Sequence, residues 1–315
     1  MKRSIVILYR DLCDEWAELL KKGKFNTLGL HFIPAENTME EYLEWLELRG
    51  RALIERVESA GVRVEHELHA FRYLLPRELF SENPEYFRMD RAGNRSADYN
   101  LCASSAALAV VEERAYRLAE ALRQSGRDYY LWADDVASDC FCHCRDCAKL
   151  PPSEQYLKIL KSILAGLKRY DASARLCYLA YGAILTPPEE IPEDMFLEFA
   201  PITRDLKSPV NGDKNKTAAA QLEGLLQKFS AADAEILDYW LDESLHTGWG
   251  RLPLARLPYD ENVLKADFAY YTGLGVGAVK TFGAYLSKEY LDAFGDKEIV
   301  EYGRLLKKVQ EETKQ

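Results

Sequence analysis

Short apolar runs, each bounded by polar residues, glycine or proline, recur eight times along the chain. Their length and content predict β-strands. The predicted strands are Ser4–Tyr9, Thr27–Phe32, Val62–Phe71, Tyr129–Ala133, Arg175–Tyr181, Met195–Pro201, Glu235–Leu241 and Gly277–Phe282. Most of these runs are apolar on both faces, which is expected of parallel strands that are covered by helices.

Between most of the strands, apolar residues recur every three or four positions, which predicts amphipathic helices. The clearest helices are Met39–Ala60, Ala106–Ser125, Ser153–Tyr170, Thr217–Ser230 and Glu261–Leu274, and one more follows the last strand and extends to about Glu312. Eight β-then-α units in 315 residues, without a linker, predict the α/β class and a single (β/α)8 TIM barrel over residues 1–315. A doubly wound open sheet is the alternative.

Two loops stand out from the short connections of such a fold. One is a long inserted loop at about residues 74–100, after the third strand, and the other is a cysteine-rich loop at about 136–150, after the fourth. Because long connections in compact folds usually serve as lids or binding loops, we expect both to border the functional site.

Composition excludes several classes of function. The chain has 41 basic and 51 acidic side chains and a formal charge of −10, so neither nucleic acid nor an anionic membrane is an expected partner. No run approaches the roughly 18 apolar residues of a membrane span. The N-terminal apolar run, Ile5–Tyr9, is too short for a signal peptide, which predicts a cytoplasmic protein. The oligomeric state stays open.

Acidic, aromatic and histidine side chains collect near the C-terminal ends of the predicted strands, where a barrel of this type carries its active site. No dinucleotide-binding, P-loop or esterase motif occurs in the chain. Aromatic rings beside carboxylates suit sugars, which predicts an oligosaccharide substrate. The predicted substrate-binding residues are His31, His69, Trp132, Tyr181, Glu198, Arg204, Tyr239, Trp240 and Glu243.

Adjacent carboxylates follow the fourth and seventh strands. Asp134 and Asp135 cannot both ionise freely in a cleft, so one is expected to keep its proton near neutral pH. We expect Asp135 to be the general acid/base, Asp134 its electrostatic partner and Asp242 the second carboxylate of a glycoside hydrolase, with no cofactor needed for catalysis. Helix capping by the Asp pair, and a plain ion pair between Glu198 and Arg204, are the structural alternatives.

Four of the seven cysteines lie within eight residues. Such spacing in a reduced protein favours a structural Zn²⁺ site over a disulfide framework. The predicted ligands are Cys140, Cys142, Cys144 and Cys147, with Asp139 or His143 as alternatives to the first of them. A cluster of packed thiols without metal, or a local disulfide formed on oxidation, is the other interpretation.

Two other functions are compatible with these residues. One is a non-catalytic carbohydrate-binding barrel, and the other is a metal-dependent TIM-barrel enzyme with His66, His69 and acidic side chains as ligands. The two histidines are three residues apart, so on a strand they point to opposite faces. For that reason we favour His69 alone as a substrate contact.

Several motifs together resemble one bacterial family, the domain of unknown function 4838. The motifs are NPEYF (Asn83–Phe87) followed by Gly93, Asn94 and Arg95, NLCASS (Asn100–Ser105), YYLWADD (Tyr129–Asp135), C-x-C-x-x-C (Cys142–Cys147), FLEFAPITR (Phe196–Arg204), YWLDES (Tyr239–Ser244) and TFGAYL (Thr281–Leu286). The resemblance covers residues 66 to 295 approximately.

The resemblance implies a (β/α)8 barrel of the glycoside hydrolase superfamily, similar to α-glucuronidases and hexosaminidase-like barrels. Some relatives belong to glycoside hydrolase family 163, endo-β-N-acetylglucosaminidases in which the substrate's N-acetyl group acts as nucleophile. Acids at the end of strand four orient that group and protonate the leaving oxygen, a role that falls here on Asp134 and Asp135. These enzymes commonly present Asp-Glu where this chain has Asp-Asp.

Overall fold

The strands of the protein close into a barrel. A computed structural model describes residues 1–136 and 139–313. Eight strands pair in parallel in sequence order, and the last pairs with the first. The predicted (β/α)8 fold is confirmed, and the open sheet is excluded because closure leaves no edge strand.

The strands are β1 (Lys2–Leu8), β2 (Thr27–His31), β3 (Arg63–His69), β4 (Asp128–Trp132), β5 (Arg175–Ala180), β6 (Met195–Phe199), β7 (Glu235–Asp238) and β8 (Ala278–Gly283). Most of them end earlier than predicted. β7, for example, stops at Asp238 instead of Leu241, so residues 239–242 leave the barrel wall and turn at its mouth.

The helices are α1 (Glu15–Gly23), α2 (Met39–Trp45), α3 (Arg51–Ser59), α4 (Phe71–Leu74), α5 (Ala107–Leu122), α6 (Pro152–Tyr170), α7 (Lys216–Leu226), α8 (Glu261–Gly273), α9 (Lys288–Phe294) and α10 (Lys297–Glu312). They surround the barrel and supply much of the hydrophobic core between themselves and the strands. No helix among residues 1–136 and 139–313 is both long and apolar enough to cross a membrane.

Two predicted helices are each divided in the structure. The segment predicted as one helix over Met39–Ala60 consists of α2 and α3, joined by a π-helical turn at Leu46–Gly50. The helix predicted to run on to Glu312 is interrupted at Gly295, whose φ of 79° lies in the left-handed region and ends α9. Helical periodicity continues across both breaks, which is why the pattern did not reveal them.

The long loop after β3 is folded rather than extended. It contains short 3-10 helices at Arg77–Ser81 and Pro84–Tyr86 and an isolated antiparallel bridge between Met89 and Arg95. The predicted cysteine-rich loop, 136–150, includes residues 137 and 138, which lie outside the described residues.

Charged side chains fill part of the barrel interior. Lys280 of β8 pairs with Glu67 of β3 at 3.0 Å, with Glu235 of β7 at 2.9 Å and with Glu198 of β6. Because β3 and β6 are not neighbours of β8, these contacts cross the inside of the barrel. The Lys280 ammonium group also lies 4.3 Å from the centre of the Tyr130 ring.

Nearer the N-terminal end of the barrel, Lys2 pairs with Glu65 at 2.8 Å and with Glu235 at 2.6 Å. Tyr130 donates its hydroxyl to Glu235 at 2.9 Å. The charges of the barrel interior thus form one connected network below the C-terminal mouth.

Candidate active site

A cavity of about 240 Å³ opens at the C-terminal ends of the strands. Seven of the residues that the sequence predicted for the site lie in its wall: His31, His69, Trp132, Asp135, Tyr181, Tyr239 and Asp242. The first three are the last residues of β2, β3 and β4. Barrels of this type carry their active sites on this face, so we take the cavity as the candidate active site.

Aromatic rings form one side of the cavity. The His31 ring lies 5.4 Å from Trp132 and 5.1 Å from Phe282, measured between ring centres. Trp132 in turn lies 5.3 Å from His69, and Phe282 lies 6.0 Å from Tyr239. Such a surface can pack against the C–H face of a sugar ring.

Both histidines of the cavity are oriented by backbone carbonyl groups. Nδ1 of His31 donates to the carbonyl oxygen of Glu67 at 2.6 Å, and Nδ1 of His69 donates to that of Ala133. Burial, helped by the nearby His69, lowers the pKa of His31 to about 3. His31 is therefore neutral at physiological pH, with Nε2 as a hydrogen-bond acceptor.

His66 lies outside the barrel, on the face of β3 opposite to His69. Its Nδ1 is hydrogen-bonded to the Tyr42 hydroxyl of α2, and the two rings meet edge to face at 5.8 Å. Burial lowers the pKa of His66 to about 4. The predicted opposition of the two histidines is confirmed, and they do not converge on a common metal site.

Asp135 lies exposed at the mouth of the cavity, just beyond β4. The Tyr181 hydroxyl donates to its Oδ1 at 3.0 Å. Burial raises the pKa of Tyr181, and the Asp135 charge adds to that effect. Tyr181 thus remains a protonated donor over the whole physiological range.

Asp242 is the buried carboxylate of the cavity. Its Oδ1 accepts from the Ser244 backbone N–H at 3.0 Å and from the Ser244 hydroxyl at 2.6 Å. Burial nevertheless raises its pKa to about 6, with a smaller contribution from the neighbouring Glu243. Burial raises the pKa of Tyr239 well above its usual value, and the charges of Asp242 and Asp135 add to that effect.

Asp134 points away from Asp135 and out of this cavity. It accepts from the Asn100 backbone N–H at 2.6 Å and pairs with Arg77, while its own N–H donates to Asn100 Oδ1 at 3.0 Å. The predicted pair of interacting carboxylates is therefore separated. Asp134 connects the end of β4 to the long loop after β3.

Two predicted substrate contacts, Glu198 and Arg204, do not reach the cavity and do not pair with each other. Glu198 points into the barrel interior and pairs with Lys280. Arg204 is buried outside the barrel, where it pairs with Asp238 at 2.8 Å and Asp267 at 2.7 Å. Both side chains are held by these buried ion pairs.

The predictions for Trp240 and Glu243 also differ from the structure. Trp240 follows Tyr239 and points the opposite way, where its Nε1 donates to Asp267 at 2.9 Å. Glu243 is buried and accepts from the Ala255 backbone N–H at 2.6 Å. Neither residue lines the cavity.

The sequence does not predict several residues of the cavity wall, and two of them, Ser244 and Trp249, bear on its chemistry. Ser244 holds Asp242, and Trp249, which is 63% exposed, lies on the segment after β7. The only signal for Trp249 was an aromatic residue between two glycines, Gly248 and Gly250, in a region without helical or strand pattern.

The cysteine cluster has a different membership from the predicted one. The sulfur atoms of Cys102, Cys142, Cys144 and Cys147 all lie within 4.8 Å of one another. Cys140 is not in this group. Its carbonyl oxygen accepts a hydrogen bond from the Asn100 side chain, and Cys140 lines a small second cavity. Asp139 and His143, the other suggested ligands, are hydrogen-bonded to each other at 2.9 Å.

Comparison of the sequence with protein families gives one match. The family described as "Domain of unknown function (DUF4838)" matches residues 9–239. No curated protein matches the chain significantly.

Similar solved structures include several glycoside hydrolases. A GH42 β-galactosidase from G. stearothermophilus is 14% identical, with a TM-score of 0.61 over 98% of this chain and 57% of its own. A β-galactosidase from Rahnella sp. R3 is 12% identical, with a TM-score of 0.60 over 99% of this chain and 56% of its own. A β-N-acetylhexosaminidase from Bacteroides fragilis NCTC 9343 is 11% identical, with a TM-score of 0.59 over 96% of this chain and 65% of its own. The chain thus spans less than two thirds of each of these proteins, and the similarity concerns the fold.

Proposed function

We propose, from the premise that this chain belongs to the DUF4838 family, that it is a glycoside hydrolase that acts on an oligosaccharide. One observation carries the proposal. Asp135 and Asp242 are carboxylates from two different loops, after β4 and after β7, and both line the aromatic cavity at the C-terminal mouth of the barrel. Two carboxyl groups at one sugar site are the minimum that most glycoside hydrolases need.

The environments of the two acids support different roles. A general acid must hold its proton near the working pH, and burial raises the pKa of Asp242 to about 6. Asp135 is exposed and accepts a hydrogen bond from Tyr181, which an ionised carboxylate does well. We therefore assign the resting proton to Asp242, whereas sequence reasoning assigned it to Asp135.

The substrate class that we propose is an N-acetylhexosaminide, cleaved with the help of its own acetamido group. In such a reaction the acetamido oxygen attacks the anomeric carbon, and the bond to the leaving oxygen breaks as that oxygen receives a proton. Asp242 would supply the proton, and Asp135 would accept a hydrogen bond from the acetamido N–H. Water then attacks the anomeric carbon and opens the cyclic intermediate. The Asp242 carboxylate, formed in the first step, takes a proton from that water.

The other residues of the cavity would bind the sugar. Trp132 and Trp249 offer flat faces for the ring, and the neutral His31 offers an acceptor for a hydroxyl group. Tyr239, near both acids, offers a hydroxyl donor.

The proposal is tested with a panel of 4-nitrophenyl glycosides that includes N-acetylglucosaminide, N-acetylgalactosaminide, galactoside and glucuronide, together with chitin oligosaccharides. Wild type and the double variant Asp135→Asn/Asp242→Asn are purified in parallel. The double variant keeps the shape of the cavity and reveals any contaminating glycosidase. We expect turnover by wild type, highest on an N-acetylhexosaminide, and none by the double variant.

Each other outcome has a definite meaning. Turnover confined to a sugar without an N-acetyl group would overturn the proposed substrate class but support the proposed glycoside hydrolase activity. Equal turnover by both proteins would assign the activity to a contaminant. Binding of the oligosaccharides by calorimetry, with no cleavage in either protein, would replace the hydrolase by a carbohydrate-binding barrel.

A further inference from the structure

We propose that Cys102, Cys142, Cys144 and Cys147 bind one structural Zn²⁺ ion through their four thiolates. The four sulfur atoms lie within 4.8 Å of one another. The Cys102 sulfur is 3.7 Å from that of Cys144 and 3.7 Å from that of Cys147. Four sulfurs placed tetrahedrally at about 2.3 Å from zinc would be about 3.8 Å apart, so the cluster has the dimensions of a Cys₄ zinc site.

The surroundings of the cluster suit charged thiolates. The backbone N–H groups of Met89 and Cys144 donate to the Cys142 sulfur at 3.3 Å and 3.5 Å. The Arg95 guanidinium also interacts electrostatically with Cys102, Cys142 and Cys144. Four thiolates around Zn²⁺ carry a net charge of −2, which these donors would partly neutralise.

A cluster of thiols without metal explains the arrangement less well. Three of the four residues are buried and Cys144 is half-buried, but a thiol is a weak donor and a weak acceptor. Such groups gain little from facing one another. A disulfide is also a poor description, because sulfurs 3.7 Å apart are well beyond a bond of about 2.05 Å.

The ion would join two parts of the chain that border the candidate active site. Cys102 follows the long loop after β3, and the other three ligands belong to the loop after β4. Beside the cluster, Asn100 already links these segments, because its amide donates to the Cys140 carbonyl at 3.2 Å and its backbone N–H donates to Asp134. The metal would thus hold the end of β4, where Asp135 begins its loop, without contacting the cavity.

The site is independent of the proposed reaction, and its test does not use activity. The protein is purified from zinc-supplemented medium under reducing conditions, and its metal content is measured by mass spectrometry. The matched variants are Cys102→Ser and Cys140→Ser, since Cys140 is a buried cysteine that lies outside the cluster, in the loop that carries the other three ligands. We expect close to one zinc per chain in wild type and in Cys140→Ser, and a large loss of zinc in Cys102→Ser.

A second measurement keeps the proposal testable if Cys102→Ser fails to fold. Wild type is stripped of metal, reduced and titrated with Co²⁺, which we expect to bind at one equivalent with the strong charge-transfer and d–d absorption of a tetrahedral thiolate site. Absence of both zinc and a cobalt spectrum in reduced, folded wild type would overturn the proposal. Loss of zinc in Cys140→Ser but not in Cys102→Ser would overturn the ligand set.

Discussion

The Tyr181 hydroxyl donates a hydrogen bond of 3.0 Å to Asp135, and it joins the loop after β4 to the end of β5 at the mouth of the barrel. Among the described residues, Asp135 has no ion pair, and the Tyr181 hydroxyl is its one side-chain hydrogen-bond partner. Tyr181 is therefore the residue that sets where this carboxylate points.

Replacing Tyr181 by phenylalanine should slow the proposed reaction without affecting the fold. A hydrogen bond to a charged group contributes about 1.5–3 kcal/mol, so we expect kcat/KM to fall by about ten- to a hundredfold. Tyr178→Phe is the control, because Tyr178 lies on β5, three residues before Tyr181, but is buried in the core between barrel and helices. Steady-state kinetics and thermal unfolding of both variants provide the check, and an unchanged rate in Tyr181→Phe would show that the hydrogen bond has no role.

The buried carboxyl group of Asp242 predicts an unusual dependence of stability on pH. Its pKa is raised by burial from 3.8 to about 6 in the folded chain, so the folded state holds the proton more tightly than the unfolded state does. As the pH rises from about 4 to about 6, the ionisation of Asp242 progressively lowers the free energy of unfolding. Above about pH 6 the destabilisation by the buried charge reaches its full size.

Asp242→Asn removes that cost because asparagine stays neutral. We expect the variant to be more stable than wild type by about 1–3 kcal/mol at pH 7.5 and to approach wild type at pH 4. Denaturant unfolding at both pH values measures the difference. The exposed Asp213→Asn variant should show no such change, and a variant of Asp242 that is less stable at pH 7.5 would contradict the burial argument.

The same group should limit activity at high pH. If Asp242 supplies the proton, kcat/KM should decline about tenfold per pH unit above an apparent pKa near 6. The apparent pKa of this decline is that of the free protein, because the pH dependence of kcat/KM reports how groups ionise before substrate binds. A rate that stays constant between pH 6 and pH 8.5 on an oligosaccharide, whose sugar leaving group needs the proton, would remove Asp242 as the acid.

The charges inside the barrel predict effects of different size for replacing two glutamates that both contact Lys280. Burial raises the pKa of Glu67 well above its usual range. Burial acts in the same direction on Glu235, but Lys2 and Lys280 outweigh it and lower the pKa of Glu235 to about 2. Of these two glutamates, the surroundings of Glu67 thus favour its protonated form, and those of Glu235 favour its charged form.

Glu67→Gln should consequently change the free energy of unfolding at pH 7 by less than about 1 kcal/mol, since glutamine resembles the protonated form that the surroundings of Glu67 favour. Glu235→Gln leaves the two lysines without their common partner and should cost about 3–5 kcal/mol. Denaturant unfolding of the two variants compares them directly. Equal losses of stability in the two variants would contradict the inference that Glu235 carries the negative charge and Glu67 favours its proton.

The barrel itself could be predicted from the sequence because eight apolar runs alternate with helical periods. Strand alternation also separated His66 from His69 correctly, since neighbouring positions on a strand alternate between the two faces. Alternation also puts the neighbours Tyr239 and Trp240 on opposite sides, but the sequence predicts both in the site because both lie near the end of a predicted strand. Only Tyr239 lines the cavity.

Other features depended on contacts between distant parts of the chain. Cys102 is forty residues from Cys142 in sequence, so the spacing of the clustered cysteines could not include it. The sequence predicts Glu198 as a substrate contact because it is polar and near a strand end, but its side chain pairs across the barrel with Lys280 of β8. Pattern alone does not show which buried charges neutralise each other.

The central claim is that Asp135 and Asp242 act together on one glycosidic bond. Its most direct test is kcat/KM of the single variants Asp135→Asn and Asp242→Asn on the glycoside that wild type cleaves fastest. Asp260→Asn is the control, because Asp260 is an exposed helix cap of α8 outside the cavity and asparagine also caps helices. We predict losses of about a hundredfold to ten-thousandfold for each of the first two and almost none for the control. Wild-type rates in either Asp135→Asn or Asp242→Asn would contradict the account.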